Sequence, residues 1–286
     1  MRLMNPQDKA YFKRFQERVQ GRRDSGTIKM YTYWIKRYIS WTEDRSPESI
    51  LDFDRALYEG KERFKWLRGK TYRYSRSSRL IAMSAVKLFL MWGVGIPVSD
   101  LPTVKGNVLG EKSEFQPKVY SEEEIPLVQE SACDDQCLAM LKLGYDAIMR
   151  AAEIVRVRKE DFKDNFLYIH AAKGSYSRWI ELSQDTMEAL EPLFEKRKHY
   201  LFLTYGDKGG KPFFAHSWSV HFLRKHRLEN RGGWHSYARH SPITHLLNKG
   251  VPFEQVWYRA RHKNPEITAR YLNIVSREIP QWVPRK

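Results

Sequence analysis

Only one stretch of this chain alternates as a pair of strands does. Phe166-Leu-Tyr-Ile-His170 leads into Ala-Ala-Lys-Gly-Ser, with Lys173 at the turn, and returns as Ser177-Arg-Trp-Ile-Glu-Leu182, the pattern of a hairpin. The rest of the readable periodicity is helical. Residues 27–42 place Tyr31, Trp34, Ile35, Tyr38 and Trp41 on one face, with Lys36 and Arg37 on the other. From Ser78 to Trp92 the expected stripe is Ile81, Ala85, Leu88 and Trp92, with Gly93 as the C-terminal stop. Val251 to Arg261 carries Phe253, Val256 and Trp257 at i, i+3 and i+4. A last helix opens at Asn264-Pro265-Glu266, with Asn as cap, Pro in the first position and Glu against the positive end of the dipole. The expected fold is mainly α with a small β-sheet in the second half.

The chain, at 286 residues, is long enough for two domains. Between Ile96 and Pro117 it lapses into Pro, Gly, Val and Lys without periodicity, and Ser121-Glu-Glu-Glu124 then reads as a capping box that starts a new helix. The expected division is a helical domain over 1–105, a linker over 106–117 and a mixed α/β domain over 118–286. Leu80 to Val94 is the longest apolar-leaning stretch. Ser84, Lys87 and Gly93 interrupt it, so no membrane span is expected. The first residues lack the apolar core of a signal peptide, which points to a cytoplasmic protein. Cys133 and Cys137 have no companion Cys/His pair and read as reduced thiols, not a zinc site.

Charge narrows the function. The formal net charge is +16, and residues 1–110 hold 22 Lys and Arg against 11 Asp and Glu. A polyanionic partner follows, nucleic acid before a membrane surface. Lys70, Arg73, Arg76 and Arg79 alternate with Tyr72, Tyr74 and serines, a mixture suited to phosphate contacts and equally to a solvated helix start.

Four segments of the second half carry chemistry-bearing residues in order. Arg150-Ala-Ala-Glu153 is followed by Val157 and by Glu160-Asp161-Phe162. Lys173-Gly174 lies on the hairpin. Arg239-His240 precedes His245-Leu-Leu and Gly250, and Arg261-His262 stands nine residues before Tyr271. Together they resemble the catalytic domain of the tyrosine recombinase (phage integrase) family over roughly residues 118–275. The resemblance implies a two-domain DNA clamp, nucleoid-associated in the cytoplasm, that assembles as a dimer or tetramer on double-stranded DNA. Its N-terminal domain would grip DNA, with Lys70, Arg73, Arg76 and Arg79 as candidate contacts. Its catalytic residues would be Arg150, Lys173, His235, Arg239, His262 and Tyr271, working without cofactor or metal.

The residue types fit that chemistry. Arginine forks stay charged and bind two non-bridging phosphate oxygens, which suits Arg150 and Arg239. Lys173 would protonate the 5′ leaving oxygen, His262 would hydrogen-bond the phosphate, and Tyr271 would form a 3′-phosphotyrosyl link. Glu153 would orient Arg150. Two positions depart from the family pattern. A histidine is usual three residues before the second arginine, where this chain has Ser236; His235 lies four before. Pro242 disfavours a continuous helix there, so a looser turn could bring His235 into the site; Ser236 in that role, or loss of the histidine, are the alternatives. Arg261 replaces the family's common glycine, which suggests an added phosphate contact. Two rivals remain: a type IB topoisomerase, and a DNA-binding protein of the same fold without cleavage.

Overall fold

The computed structural model describes residues 4–60, 73–104, 108–110, 115–171, 175–203 and 233–274. The chain forms two compact units, Met1–Glu114 and Phe115–Lys286.

The first unit is helical. Helix α1 (Pro6–Val19) is capped by Asn5, whose side chain accepts from the Asp8 amide, and α2 (Ser25–Trp41) by Asp24, which accepts from Thr27. Helix α3 (Ser49–Glu59) ends on Gly60 at φ 65°. Helix α4 (Arg76–Phe89) is capped by Ser75 and runs into a π turn, Leu90–Val94. Phe15, Ile35, Tyr38, Phe53, Leu57, Val86 and Phe89 are fully buried between them. Arg76–Val94 is long and apolar enough to cross a membrane by length and composition alone, but its Ala82, Met83, Val86 and Phe89 lie in this core.

Several sequence expectations change here. The core face of α4 is Ala82, Met83, Ala85, Val86 and Phe89, while Ile81 is exposed. Apolar residues occupy both sides of this helix, so spacing alone selected the wrong stripe. The stop is Gly95, at φ 102°, not Gly93. Gly93 is small for another reason: a Cβ there would lie 2.6 Å from the Tyr11 carbonyl oxygen. The stretch expected as a linker also contributes to both units. Val108 is buried in the first core, the Leu109 amide donates to Asp54, and Phe115 packs in the second unit.

In the second unit, α5 (Glu124–Glu130) follows the box foreseen at Ser121, whose amide donates to the Glu124 carboxylate over 2.7 Å. Helix α6 (Asp135–Asp146) packs on α8 (Gln184–Lys196), with the short α7 (Ala151–Ile154) between them in sequence. The sheet is antiparallel in the order β1 (Phe162–Lys163), β2 (Phe166–Ile169), β3 (Arg178–Glu181). Leu167 pairs with Ile180 and Ile169 with Arg178, as a hairpin requires. The two-residue β1 was not expected from sequence. Helices α9 (Ser241–Asn248), α10 (Phe253–Ala260) and α11 (Pro265–Ala269) follow among the described residues. Ile148, Ile243, Leu247, Val256, Ala260 and Tyr271 form a second, smaller core among them. The fold is mainly α with a small sheet.

Candidate active site

The site grows from the loop that follows α6. Ile148 sits in the left-handed region at φ 51°, a conformation costly for a β-branched residue. Its carbonyl thereby accepts from both Arg239 Nη1 (2.8 Å) and Arg261 Nη2 (3.0 Å). Two residues on, Arg150 is the N-cap residue of α7, and Glu153 binds it twice: one carboxylate oxygen accepts from the Arg150 amide (2.9 Å), the other from its Nη1 (3.0 Å).

Glu153 is the hub. Its fully buried carboxylate also accepts from Arg261 Nη2 (2.8 Å) and from the Ser175 hydroxyl (3.1 Å). Burial would raise its pKa. Arg261, the Arg150 amide, and the charges of Arg150 and Arg239 outweigh that and hold it below the usual carboxylate range. Among the described residues, Arg150, Arg239 and Arg261 thus share the buried Glu153 carboxylate, and the cluster carries an excess positive charge.

Arg239 lies in a second π turn, Ser236–His240. Pro242 has no N–H, and the Ser236 carbonyl instead accepts from both the amide and the hydroxyl of Ser241 (2.8 Å to the hydroxyl). A π turn closes over one more residue than an α turn. The residue four before Arg239 therefore points where the residue three before would in an α-helix. The His235 ring stands edge-on to His240 at 4.6 Å, within the field of Arg239 and Arg150. It keeps a solvent-exposed surface, yet packing of the remainder, then those two charges, lowers its pKa and leaves it neutral. Arg239 is buried, and its Nη2 donates to the Ala260 carbonyl (2.6 Å). Burial and the neighbouring Arg150 lower its pKa to about 9, so it remains a cation at neutral pH.

Arg261 ends α10 at φ 55° and is followed by His262, which bridges to Ser175. His262 Nδ1 lies 2.7 Å from the Thr268 hydroxyl. Burial, then Arg239, Arg150 and Arg261, pushes His262 down to about 3. Tyr271 is buried, and its hydroxyl lies 2.6 Å from His240 Nδ1. Burial raises its pKa to about 12, against the pull of Arg239, Arg150 and Arg270.

The fold thus gathers Arg150, Arg239, His235, His262 and Tyr271 around one cluster. Lys173 and Lys70 lie outside the described residues. Arg73 is exposed, and Arg76 donates to the Gly110 carbonyl (2.9 Å). Two expectations need correcting. Arg79 is buried; its Nη1 donates to Asp54 (2.7 Å), and the guanidinium covers the Tyr58 ring. It is a strut of the first core, not a DNA contact. Arg261 is likewise fully buried, its guanidinium donating to Glu153 and to the Ala147 and Ile148 carbonyls, so it braces the cluster from within. Sequence reasoning missed His240, Thr268 and Ile148. A histidine directly after Arg239 was the one available signal.

A profile of the phage integrase family matches residues 120–277, more than half of the chain. The chain is similar to tyrosine recombinase XerA of Thermococcus kodakarensis, with 24% identity over 260 residues that span 87% of this chain and 84% of the relative. It is also similar to a tyrosine recombinase of Thermosipho africanus, at 22% over 268 residues, 90% of this chain and 92% of the relative. Among solved structures, a lambda integrase dimer bound to a COC′ core site superposes with a TM-score of 0.71 at 14% identity, covering 97% of this chain and 80% of that one. That last likeness speaks to the fold. The family match, in turn, covers each of the four motifs read from the sequence, and the chain belongs to the phage integrase family of tyrosine recombinases.

Proposed function

We propose that this protein is a site-specific DNA recombinase that cleaves and rejoins strands through a 3′-phosphotyrosyl link on Tyr271. One observation carries the reading: a buried tyrosine lies in the field of two arginine cations that one buried carboxylate cannot neutralise. A phosphodiester entering that field supplies the missing negative charge, and the developing phosphorane supplies more. Arg150 and Arg239 bind its non-bridging oxygens, His262 donates from Nε2 with Thr268 holding Nδ1, and His235 makes a further contact. Attack by the Tyr271 oxygen forms the O–P bond as the P–O5′ bond breaks, and Lys173 protonates the departing O5′. Support for Lys173 comes from its place in the chain. Ser175, two residues later, bridges His262 and donates to Glu153. The bond energy is retained in the tyrosyl ester, so the exchange needs neither ATP nor metal.

Residues 118–286 would be the catalytic domain and residues 1–105 the DNA-gripping domain of a clamp around duplex DNA, joined through 106–117, with Arg73, Arg76 and Lys70 on the grip. Assembly as a dimer or tetramer on DNA is supported by the lambda integrase dimer on its core site, and the place of work would be the nucleoid. The test is covalent trapping on nicked duplexes drawn from DNA flanking the gene, without added metal. Wild type should give a denaturant-resistant protein–DNA band, and Tyr271→Phe none. A band that survives the substitution would assign another nucleophile. Metal-free relaxation of plasmid that lacks any such site would favour a topoisomerase instead.

A further inference from the structure

Attack by a tyrosine requires that its proton go somewhere, and one side chain already touches the hydroxyl. His240 Nδ1 lies 2.6 Å from it. The imidazole is held on two sides, by His235 edge-on at 4.6 Å between ring centres and by Phe115 edge-on at 5.8 Å. Phe115 packs in turn on Tyr271 at 5.0 Å and is covered by Arg270. Among the described residues, the titratable and charged groups facing His240 are His235 and Arg239 from its own turn, and Tyr271 from the turn after α11. Phe115 brings none.

Resting on the recombinase reading, we propose that His240 is the general base that takes the Tyr271 phenolic proton during strand cleavage and returns it on rejoining. The direction of the hydrogen bond fits. Burial, then His235 and Arg239, holds His240 down at about 4, while burial holds Tyr271 up at about 12. At neutral pH the tyrosine keeps its proton and donates, and His240 accepts through Nδ1 with its own proton on Nε2. In the step, the Tyr271 oxygen forms its bond to phosphorus, the P–O5′ bond breaks, the phenolic proton passes to Nδ1, and O5′ takes a proton from the Lys173 ammonium. In the reverse step a 5′-hydroxyl attacks phosphorus and returns its proton to the Lys173 amine, the phosphotyrosyl P–O bond breaks, and the His240 imidazolium reprotonates the departing tyrosine. Charge and atoms balance with no added reagent.

The test is the single-turnover rate of covalent trapping on the nicked flanking duplexes, with DNA affinity and thermal unfolding followed alongside. His240→Gln should bind DNA as wild type does and cleave about 10²–10⁴-fold more slowly, the usual weight of a general base. His240→Ala opens a cavity at the same point, and added imidazole should restore part of the rate, more strongly with more basic imidazoles. That rescue answers for a variant of lowered stability, because a purely structural defect would not respond to the basicity of the additive. Variants that trap at the wild-type rate would overturn the proposal and leave the recombinase reading intact. A His240→Gln variant that traps faster than wild type would overturn it too, making the contact a latch on the nucleophile. Failure of wild type itself to form the covalent band would remove the recombinase reading, and the role of His240 with it.

Discussion

Replacing Glu153 with glutamine should destabilise the second unit by about 2–3 kcal/mol. The carboxylate accepts four hydrogen bonds: from the Arg150 amide and Arg261 Nη2 on one oxygen, and from Arg150 Nη1 and Ser175 on the other. Removing one partner of a fully buried ion pair costs about 3–5 kcal/mol, because the remaining charge stays buried without compensation. The amide can keep its oxygen toward the Arg150 amide and Arg261, and Ser175 can turn its hydroxyl to accept, which returns about 1–2 kcal/mol. What is lost is the charge that offsets Arg261 and Arg239.

The assay is urea unfolding of the full chain, with hydrogen exchange on the peptide spanning residues 147–155 to assign the loss to the second unit. The pH dependence gives an independent reading. The folded pKa of Glu153 lies below its ordinary value of 4.5, so its stabilisation is present above about pH 4.5 and is lost as the pH falls through the folded value. The variant should therefore lose less stability than wild type between pH 4.5 and the lower end of the folded range. A destabilisation below about 0.5 kcal/mol, with an unchanged acid limb, would refute the idea that one carboxylate holds the arginine cluster.

Arg79→Ala should lower the stability of the first unit by about 3–5 kcal/mol, since it strands buried Asp54; Arg73→Ala should leave stability unchanged and reduce the salt slope of DNA binding by about one. Equal salt slopes for the two variants, with equal stability, would reverse the assignment. Gly93→Ala puts a Cβ 2.6 Å from the Tyr11 carbonyl and should cost about 1–3 kcal/mol by overpacking, read as a lowered Tm. Ile148→Gly relieves a left-handed backbone worth about 1–2 kcal/mol but removes a fully buried side chain worth about 2–5 kcal/mol. A net loss is expected in chemical unfolding, and a more stable variant would mean that strain dominates.

What the sequence revealed, and what it hid, divides by the range of the interactions. Local signals were legible: the cap at Asn264, the box at Ser121–Glu124, the hairpin and the nine-residue step from His262 to Tyr271. Pairings across long separations were not. Nothing near Arg79 announces that Asp54, 25 positions earlier, will bury it. Arg261 reads as a spare cation until the Ala147 and Ile148 carbonyls, over a hundred positions back, close on it. The π turn lies between these cases. Pro242 signalled an irregular helix, but only the Ser241 amide and hydroxyl, both bonded to the Ser236 carbonyl, decide which residue the irregularity delivers.

The same electrostatics constrain the timing of proton transfer. With Tyr271 at about 12 and His240 at about 4, a free phenolate–imidazolium pair would lie on the order of 10 kcal/mol above the neutral pair. A bound phosphate does not close that gap, because its negative charge favours the imidazolium and disfavours the phenolate together. Bond formation does close it, because the phenolic charge passes into the phosphorane that Arg150 and Arg239 face. Transfer should therefore be concerted with attack. On a substrate whose 5′ bridging oxygen is replaced by sulfur, departure needs no protonation and Lys173 drops out of the pH profile. The single-turnover cleavage rate should then stay flat from about pH 5 to 8, above the His240 value of about 4 and below the Arg239 value of about 9, and show a solvent deuterium isotope effect. A rate rising tenfold per pH unit would instead mean attack by a pre-formed phenolate. An inflection near pH 6.5 would mean that His240 titrates as an ordinary imidazole, and that the packing by His235, Arg239 and Phe115 does not govern it.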